Sequence, residues 1–347
     1  MKRIFSLFLA LVMLAALCCS CSGGAKTTLY LLNWGEYLDP ALIEEFEEQN
    51  PDIRINMTTT TTNEEMYTVC ATEGTKIDIV VPSDYLVERF IAEDLLAELD
   101  FSNIPNFQYV EKAAQNRTFD PENKYSVPYF IGTVGIVYNK TLVDEEVDSW
   151  GILWDEKYAN QIMMYDSIRD SMMVALAYLG YDINTTDPEE LAEAGDLLLA
   201  QKPLVRGYGA DNIKYDMIGG GVALGVDYSG SAVQAIMENE DLAYVVPKEG
   251  SNVWMDNFVV LKSSPNKEAA ERFINFMCDP EVSAQNSEFV GYTTPNEAAL
   301  EYVDEEFTSN SAYTIPDGVL DRCAYFKDLG DALQLYNDEW MKVKTAA

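Results

Sequence analysis

Apolar runs of strand length alternate with amphipathic stretches along most of the chain. Residues 28–33 (TLYLLN) form an apolar run, and residues 39–50 (DPALIEEFEEQN) place Leu42, Ile43 and Phe46 on one face at helical spacing. Residues 53–57 (IRINM) then alternate with period two. The order predicts strand, helix, strand. Asp39 suits the helix N-cap, Pro40 its first turn, and Pro51 forbids its continuation. The run 77–81 (IDIVV), followed by Pro82, Ser83 and a helix over about 85–93, repeats the scheme. Further helices are marked at 189–201 behind Asp187 and Pro188, at 267–278 behind Ser264 and Pro265, and at about 331–344. Further strands fall near 132–138, 222–228, 243–246 and 258–261. Such alternation implies parallel strands joined by helical crossovers, so the expected class is α/β, arranged as two lobes.

Ahead of this pattern stands a different one. Lys2 and Arg3 precede an apolar stretch over 4–19, which runs into Ser20, Cys21 and the small residues Ser22, Gly23 and Gly24. The stretch is shorter than the ~20 residues of a membrane span. It ends as a lipoprotein cleavage site does, so residues 1–20 are expected to be an export signal and Cys21 the lipidated residue, with Cys18 as a competing acceptor. The mature protein is then expected outside the cytoplasm, tethered to a membrane face.

Charge and composition narrow the chemistry. The 347 residues carry 23 Lys+Arg against 58 Asp+Glu, a formal net charge of −35, and no histidine. A surface of that sign repels phosphate backbones, so no nucleic acid is expected as a partner and a cationic one is favoured. The lack of histidine removes the commonest general base, the usual zinc ligand and every Ser-His or Cys-His pairing. Cys70, Cys278 and Cys323 are widely spaced with no CxxC among them, which reads as buried thiols rather than a metal or redox site. With 48% hydrophobic and 12% aromatic residues the chain has the material of a packed core, and its length suggests about two domains.

In open α/β sheets ligands bind beyond the carboxyl ends of strands. Three such junctions combine an aromatic residue with an acid or hydroxyl: Trp34, Glu36 and Tyr37 after the first strand; Ser83, Asp84 and Tyr85 after the next; and Asp227, Tyr228 and Ser229 after the run near 222–228. Trp254 and Asp256 form a fourth such pair ahead of an apolar strand. An organic ammonium ion is held by carboxylates that accept its N–H bonds and by aromatic faces that attract positive charge and flank its methylenes. Any one of these aromatics alone reads more simply as core. Four similar junctions at strand ends favour a site.

The motifs NWGEY (33–37), DIVVPSDY (78–85), YSVPY (125–129), LGYDINTTDP (179–188), VVPKEG (245–250) with WMD (254–256), and GYTTPN (291–296) come in an order that resembles the spermidine/putrescine-binding proteins of bacterial polyamine ABC transporters. The resemblance runs from about residue 28 to the last helix. It implies a two-lobed periplasmic-binding-protein fold, each lobe a mixed, mostly parallel sheet flanked by helices, with polyamine clamped in the cleft. The first lobe would cover 27–132 and 257–302 and the second 133–256 and 303–347, with hinge strands near 131–135 and 255–258 closing around ligand. It further implies Trp34, Glu36 and Tyr37 as ligand contacts, with Glu36 an ammonium acceptor. Ser83 and Tyr85 match the second junction, Asp170 matches an acidic position, and Trp254 and Asp256 match the pair that holds the inner amine. Four positions depart from the family pattern. Gly35 replaces a hydroxyl residue, Ser167 stands for an Asp, Tyr228 for a Trp, and Phe326 lies near a Gln. Fewer polar contacts favour the shorter diamine or weaken one end of a spermidine site.

The expected function is therefore a monomeric, non-enzymatic, lipid-anchored receptor that hands spermidine, putrescine or both to a membrane permease, with no cofactor and no metal. The alternative is a receptor for another small solute such as thiamine, iron or a sugar. No spacing singles out a catalytic carboxylate pair, and Gly219, Gly220 and Gly221 lack the following Lys-Ser or Lys-Thr of a phosphate loop.

Overall fold

A computed structural model describes residues 26–210, 212–316 and 318–346; the expected export signal and Cys21 lie outside the described residues. The first half-sheet is built from β1 (Thr27–Trp34), α1 (Pro40–Gln49), β2 (Ile53–Thr60), α2 (Asn63–Ala71), β3 (Ile79–Val80) and α3 (Asp84–Ala92). The long strand β4 (Ser126–Asn139) leads to β5 (Ile162–Tyr165), α4 (Ile168–Leu179), α5 (Pro188–Gln201), β6 (Val205–Gly209), α6 (Asn212–Ile218), β7 (Leu224–Tyr228), α7 (Ser229–Glu238) and β8 (Leu242–Val245). The chain then returns through β9 (Val253–Val260) into α8 (Lys267–Met277) and α9 (Pro280–Val290), and closes with α10 (Leu333–Thr345).

Helix starts follow local chemistry. Asp39 caps α1 by accepting from the Ala41 amide, Thr62 caps α2 from Glu65, and Asp187 caps α5 from Glu189, with Pro at the first turn of α1 and α5. The helix α4 was not marked by amphipathicity because it has little: nine consecutive residues from Arg169 to Ala177 are buried. Likewise β9 is longer than its apolar end, since all eight of its residues are buried, Asp256 and Asn257 included.

The strands run in the order β2-β1-β3-β9-β4-β7-β5-β6, with β8 paired to β4 off this path. Parallel pairs lie toward the outside, β1 with β2 and β3, and β5 with β6 and β7. The two strands in the middle are antiparallel to their neighbours, β9 to β3 and β4, and β4 to β7 and β8. One strand serves both sides: residues 126–133 of β4 pair with β9, and residues 134–139 pair with β7 and β8. The apolar clusters divide accordingly. Leu29, Leu31, Phe46, Phe258 and Phe273 pack on the first side, with Phe46 and Phe273 edge-on at 5.1 Å. Trp150, Tyr158, Leu176, Tyr336 and Trp340 pack on the second.

The consequence for function lies in strand direction. On one side β1 and β3, and on the other β5 and β7, end toward the same central crevice, where Trp34, Ser83, Ser167 and Tyr228 stand. Two glycines let this crevice close up. A Cβ on Gly132 would come within 2.3 Å of the Trp254 ring, and one on Gly230 within 2.5 Å of Tyr292. Gly132→Ala is therefore expected to displace Trp254 and to destabilise the protein by about 1–3 kcal/mol, read as a lowered midpoint of thermal unfolding. An unchanged midpoint would mean that the indole moves aside freely.

Candidate functional site

Two acids anchor the crevice from opposite sides. Asp170, in the first turn of α4, is 4% exposed, and Asp256, in the middle of β9, is 5% exposed. Each has one oxygen held by a tyrosine: Tyr228 donates to Asp170 Oδ2 at 3.0 Å, and Tyr37 donates to Asp256 Oδ2 at 2.7 Å. The second oxygen of each, Oδ1, is buried without a hydrogen-bond partner among the described residues. A buried carboxylate oxygen in that condition carries a desolvation cost that an N–H donor from a ligand can offset.

Aromatic rings join the two acids in a continuous row. Tyr228 stands edge-on to Trp254 at 6.0 Å, Trp254 to Tyr292 at 4.8 Å, and Tyr292 to Tyr37 at 5.7 Å. Tyr165 closes against Tyr228 at 4.9 Å. The indole nitrogens of Trp34 and Trp254 are buried without partners among the described residues. Burial, and then the adjacent acids, push the Tyr37 and Tyr228 hydroxyls well above their ordinary pKa, so both remain donors.

Burial drives the Asp256 carboxyl up to about 6, against the opposing pull of the Ser83 and Tyr37 hydroxyls. Burial likewise raises Asp170, opposed by Ser167, Tyr228 and the Arg169 guanidinium. A third acid stands behind them. Asp84 is 2% exposed, accepts from the Met255 amide at 3.0 Å and the Tyr85 amide at 2.7 Å, and is pushed by burial up to about 8.

The remaining expected residues fall around this core with varied partners. Ser83 pairs with Asp256 across an isolated antiparallel bridge, and its hydroxyl accepts from Asn63 at 3.1 Å. The Ser167 hydroxyl is used as the α4 cap, accepting from the Asp170 amide at 3.3 Å. Tyr85 reaches Glu64 at 3.4 Å and meets Phe326 edge-on at 6.4 Å. Phe326 is buried, with the Arg169 guanidinium 4.2 Å from its ring centroid. Glu36 is apart from the two buried acids: its side chain is 65% exposed, and it meets the Lys214 ammonium at 3.4 Å.

The sequence does not single out Tyr292, Arg169 or Lys214, whereas Asp84 is the acid of the second junction. Tyr292 lies in the GYTTPN motif, but nothing in that motif marks its side chain. Lys214 sits in a plain helical stretch, so only the fold brings it to the crevice.

The family model described as "Bacterial extracellular solute-binding protein" matches residues 41–315. The spermidine/putrescine-binding periplasmic protein of Salmonella typhimurium is 36% identical, over 91% of this chain and 91% of its own length. A putative spermidine/putrescine ABC transporter from Listeria monocytogenes has the same fold at a TM-score of 0.88 and 40% identity, covering 92% of this chain and 99% of that one. The spermidine/putrescine ABC transporter substrate-binding protein of Streptococcus pneumoniae, in complex with calcium and HEPES, gives a TM-score of 0.80 at 40% identity with the same coverage.

The raised carboxyl at Asp256 means that folding favours its neutral form. Its cost is absent below the ordinary carboxylate range, grows as pH rises toward about 6, and is present in full above that. Asp256→Asn is therefore expected to stabilise the ligand-free protein at pH 7, by an amount on the order of 2–3 kcal/mol, and to leave it near wild type at pH 4. Thermal unfolding at both pH values checks this; a lower midpoint for the variant at pH 7 would make Asp256 a structural residue.

Proposed function

The chain belongs to the bacterial extracellular solute-binding protein family, among the spermidine/putrescine-binding proteins, and we propose that it captures a polyamine between Asp170 and Asp256 and delivers it to an ABC permease. One observation carries the reading: two buried carboxylates, each with one oxygen fixed by a tyrosine and the other without a donor, joined by a row of aromatic rings. A chain with an ammonium group at each end would give each Oδ1 its missing N–H donor. Its methylenes would lie against Tyr228, Trp254 and Tyr292, whose faces also favour the positive ends. A neutral sugar would leave both charges uncompensated.

The proposal extends to how the receptor works. Residues 27–132 and 257–302 form the first lobe, and residues 133–256 and 303–347 the second. The hinge lies at 131–135 of β4 and at 255–258, where β9 carries Asp256 itself. Ligand that bridges Asp170 on the second lobe and Asp256 in the hinge, which Tyr37 of the first lobe holds, would tie the two lobes together, which is the form a permease can distinguish from the open one. Cys21 carries the lipid that keeps the receptor at the membrane face. The protein binds and releases its solute unchanged, as a transport component rather than an enzyme.

The direct test is calorimetric titration of the leaderless protein with putrescine, spermidine and cadaverine, with glucose and thiamine as controls. Saturable one-to-one heat confined to the amines is expected; heat from glucose or thiamine alone would overturn the reading. Removing one partner of a buried, hydrogen-bonded charge pair costs about 2–5 kcal/mol, so Asp256→Ala and Asp170→Ala are each expected to weaken binding by at least tenfold.

The pH dependence follows from the same carboxyl. The ionised form binds the cation, and in the ligand-free protein Asp256 ionises at about 6. Affinity is expected to fall about tenfold between pH 7 and pH 5, and binding to be accompanied by proton release near pH 6. Affinity that rises on acidification would contradict the assignment.

A further inference from the structure

The acid that family resemblance marks as an ammonium acceptor already has an ammonium beside it. Lys214, on α6, is 8% exposed, and its Nζ donates to Gln234 Oε1 at 2.5 Å and to Glu36 Oε2 at 3.4 Å. Among the described residues Glu36 is the carboxylate within ion-pair distance of Lys214. The arrangement is held from both sides of the crevice. Gln234, on α7, also donates to the carbonyl oxygens of Phe289 at 2.9 Å and Val290 at 3.0 Å, at the end of α9. Glu36 itself sits in the turn after β1 with φ of 44°, a left-handed conformation that non-glycine residues seldom adopt.

A buried ammonium is expensive to keep without a counter-charge, and one shared with a 65% exposed carboxylate is only partly compensated. Lys214 shares Glu36, so any other ammonium that takes this carboxylate does so with the charge of Lys214 beside it. Among the described residues the buried carboxylate oxygens without a hydrogen-bond partner are Asp170 Oδ1 and Asp256 Oδ1. That set matches two ammonium groups, not three.

We propose that Lys214 is a specificity-determining residue: by occupying Glu36 it restricts the crevice to diamines and rejects a third ammonium group. The inference rests on the polyamine reading given above. It makes discrimination between di- and triamines a matter of repulsion from a charge that belongs to the protein, which is a general route to specificity where attraction alone would accept both ligands.

Putrescine and spermidine are titrated into the wild-type protein, Lys214→Met, Lys214→Arg and the double variant Glu36→Gln/Lys214→Met, with the unfolding midpoint of each recorded. Wild type is expected to prefer putrescine by at least tenfold. Lys214→Met, which keeps the stem and removes the charge, is expected to narrow or reverse that preference by tenfold or more, through tighter spermidine binding. Lys214→Arg, which keeps the charge, should retain the wild-type ranking. The double variant should lose the gain, because the carboxylate freed for the third amine has gone.

A wild-type preference for spermidine overturns the proposal with no variant needed. A putrescine-to-spermidine ratio within threefold of wild type in folded Lys214→Met overturns it as well. Both results leave the polyamine reading intact, because amines are still bound. That reading fails only if wild type itself gives no saturable heat with any amine, and the present inference then falls with it.

Discussion

A carboxylate kept out of water with half of its hydrogen-bonding capacity unused is the constraint around which the crevice is organised. Desolvation raises the proton affinity of Asp170, Asp256 and Asp84 alike. The fold reduces this cost without removing it. Asp84 and Asp170 sit in the first turns of α3 and α4, where the positive end of the helix dipole favours negative charge. Each acid also accepts at least one hydrogen bond, from backbone amides at Asp84 and from a tyrosine hydroxyl at Asp170 and Asp256. Tyrosine suits that task because burial keeps its own proton on, so it orients the carboxylate without neutralising it. The part of the cost that remains is the part a cationic solute can relieve, and stability is thereby exchanged for affinity.

Placing the two acids on opposite sides depends on strands that belong to both. Were β4 to end at Thr133, each half-sheet would be a separate α/β unit with its strand ends facing open solvent. Because the strand continues from β9 to β7 and β8, the carboxyl ends of β1, β3, β5 and β7 face one another. The closeness of that approach is set by residues with no side chain. Gly132 admits the Trp254 ring and Gly230 admits Tyr292, so two rings of the aromatic row between the acids lie directly against backbone.

Much of this was legible in the sequence and some was not, for identifiable reasons. Strands β1 to β3 and helices α1 and α3 followed from periodicity and proline placement, whereas α2 went unmarked, and the cap at Asp39 is where the pattern put it. The aromatic-plus-acid junctions pointed to Tyr37, Tyr228, Trp254 and Asp256, and the structure brings these together. Helix α4 and strand β9 were incompletely visible because burial on all sides erases the alternation that marks an element with one wet face. Long-range pairing was invisible in a stronger sense. Nothing local to Lys214 distinguishes it from other lysines of an acidic protein. Its meaning comes from Glu36, 178 positions away, and from Gln234. The hydroxyl of Ser167 shows the opposite case: a polar residue in a site motif whose side chain is used by the helix it begins.

The protein thus handles positive charge at two ranges that work in opposite directions. At long range, a net charge of −35 draws any cation, and multivalent ones more strongly, with little regard to shape. Such a field would favour the longer, more highly charged amine everywhere on the surface. At short range the crevice contains two cations of its own. Arg169 is buried against Phe326, with its guanidinium donating to the Lys327 carbonyl and Asn184, and Lys214 is buried against Gln234 and Glu36. Arg169 lies next to Asp170 in sequence and pulls its pKa down, so the acid is kept available without being consumed by a direct ion pair. Lys214 instead meets Glu36 directly, as an ion pair. An acidic surface that attracts every polyamine can discriminate among them only inside the crevice, and the side chains able to impose that choice are the few basic ones the fold has carried there.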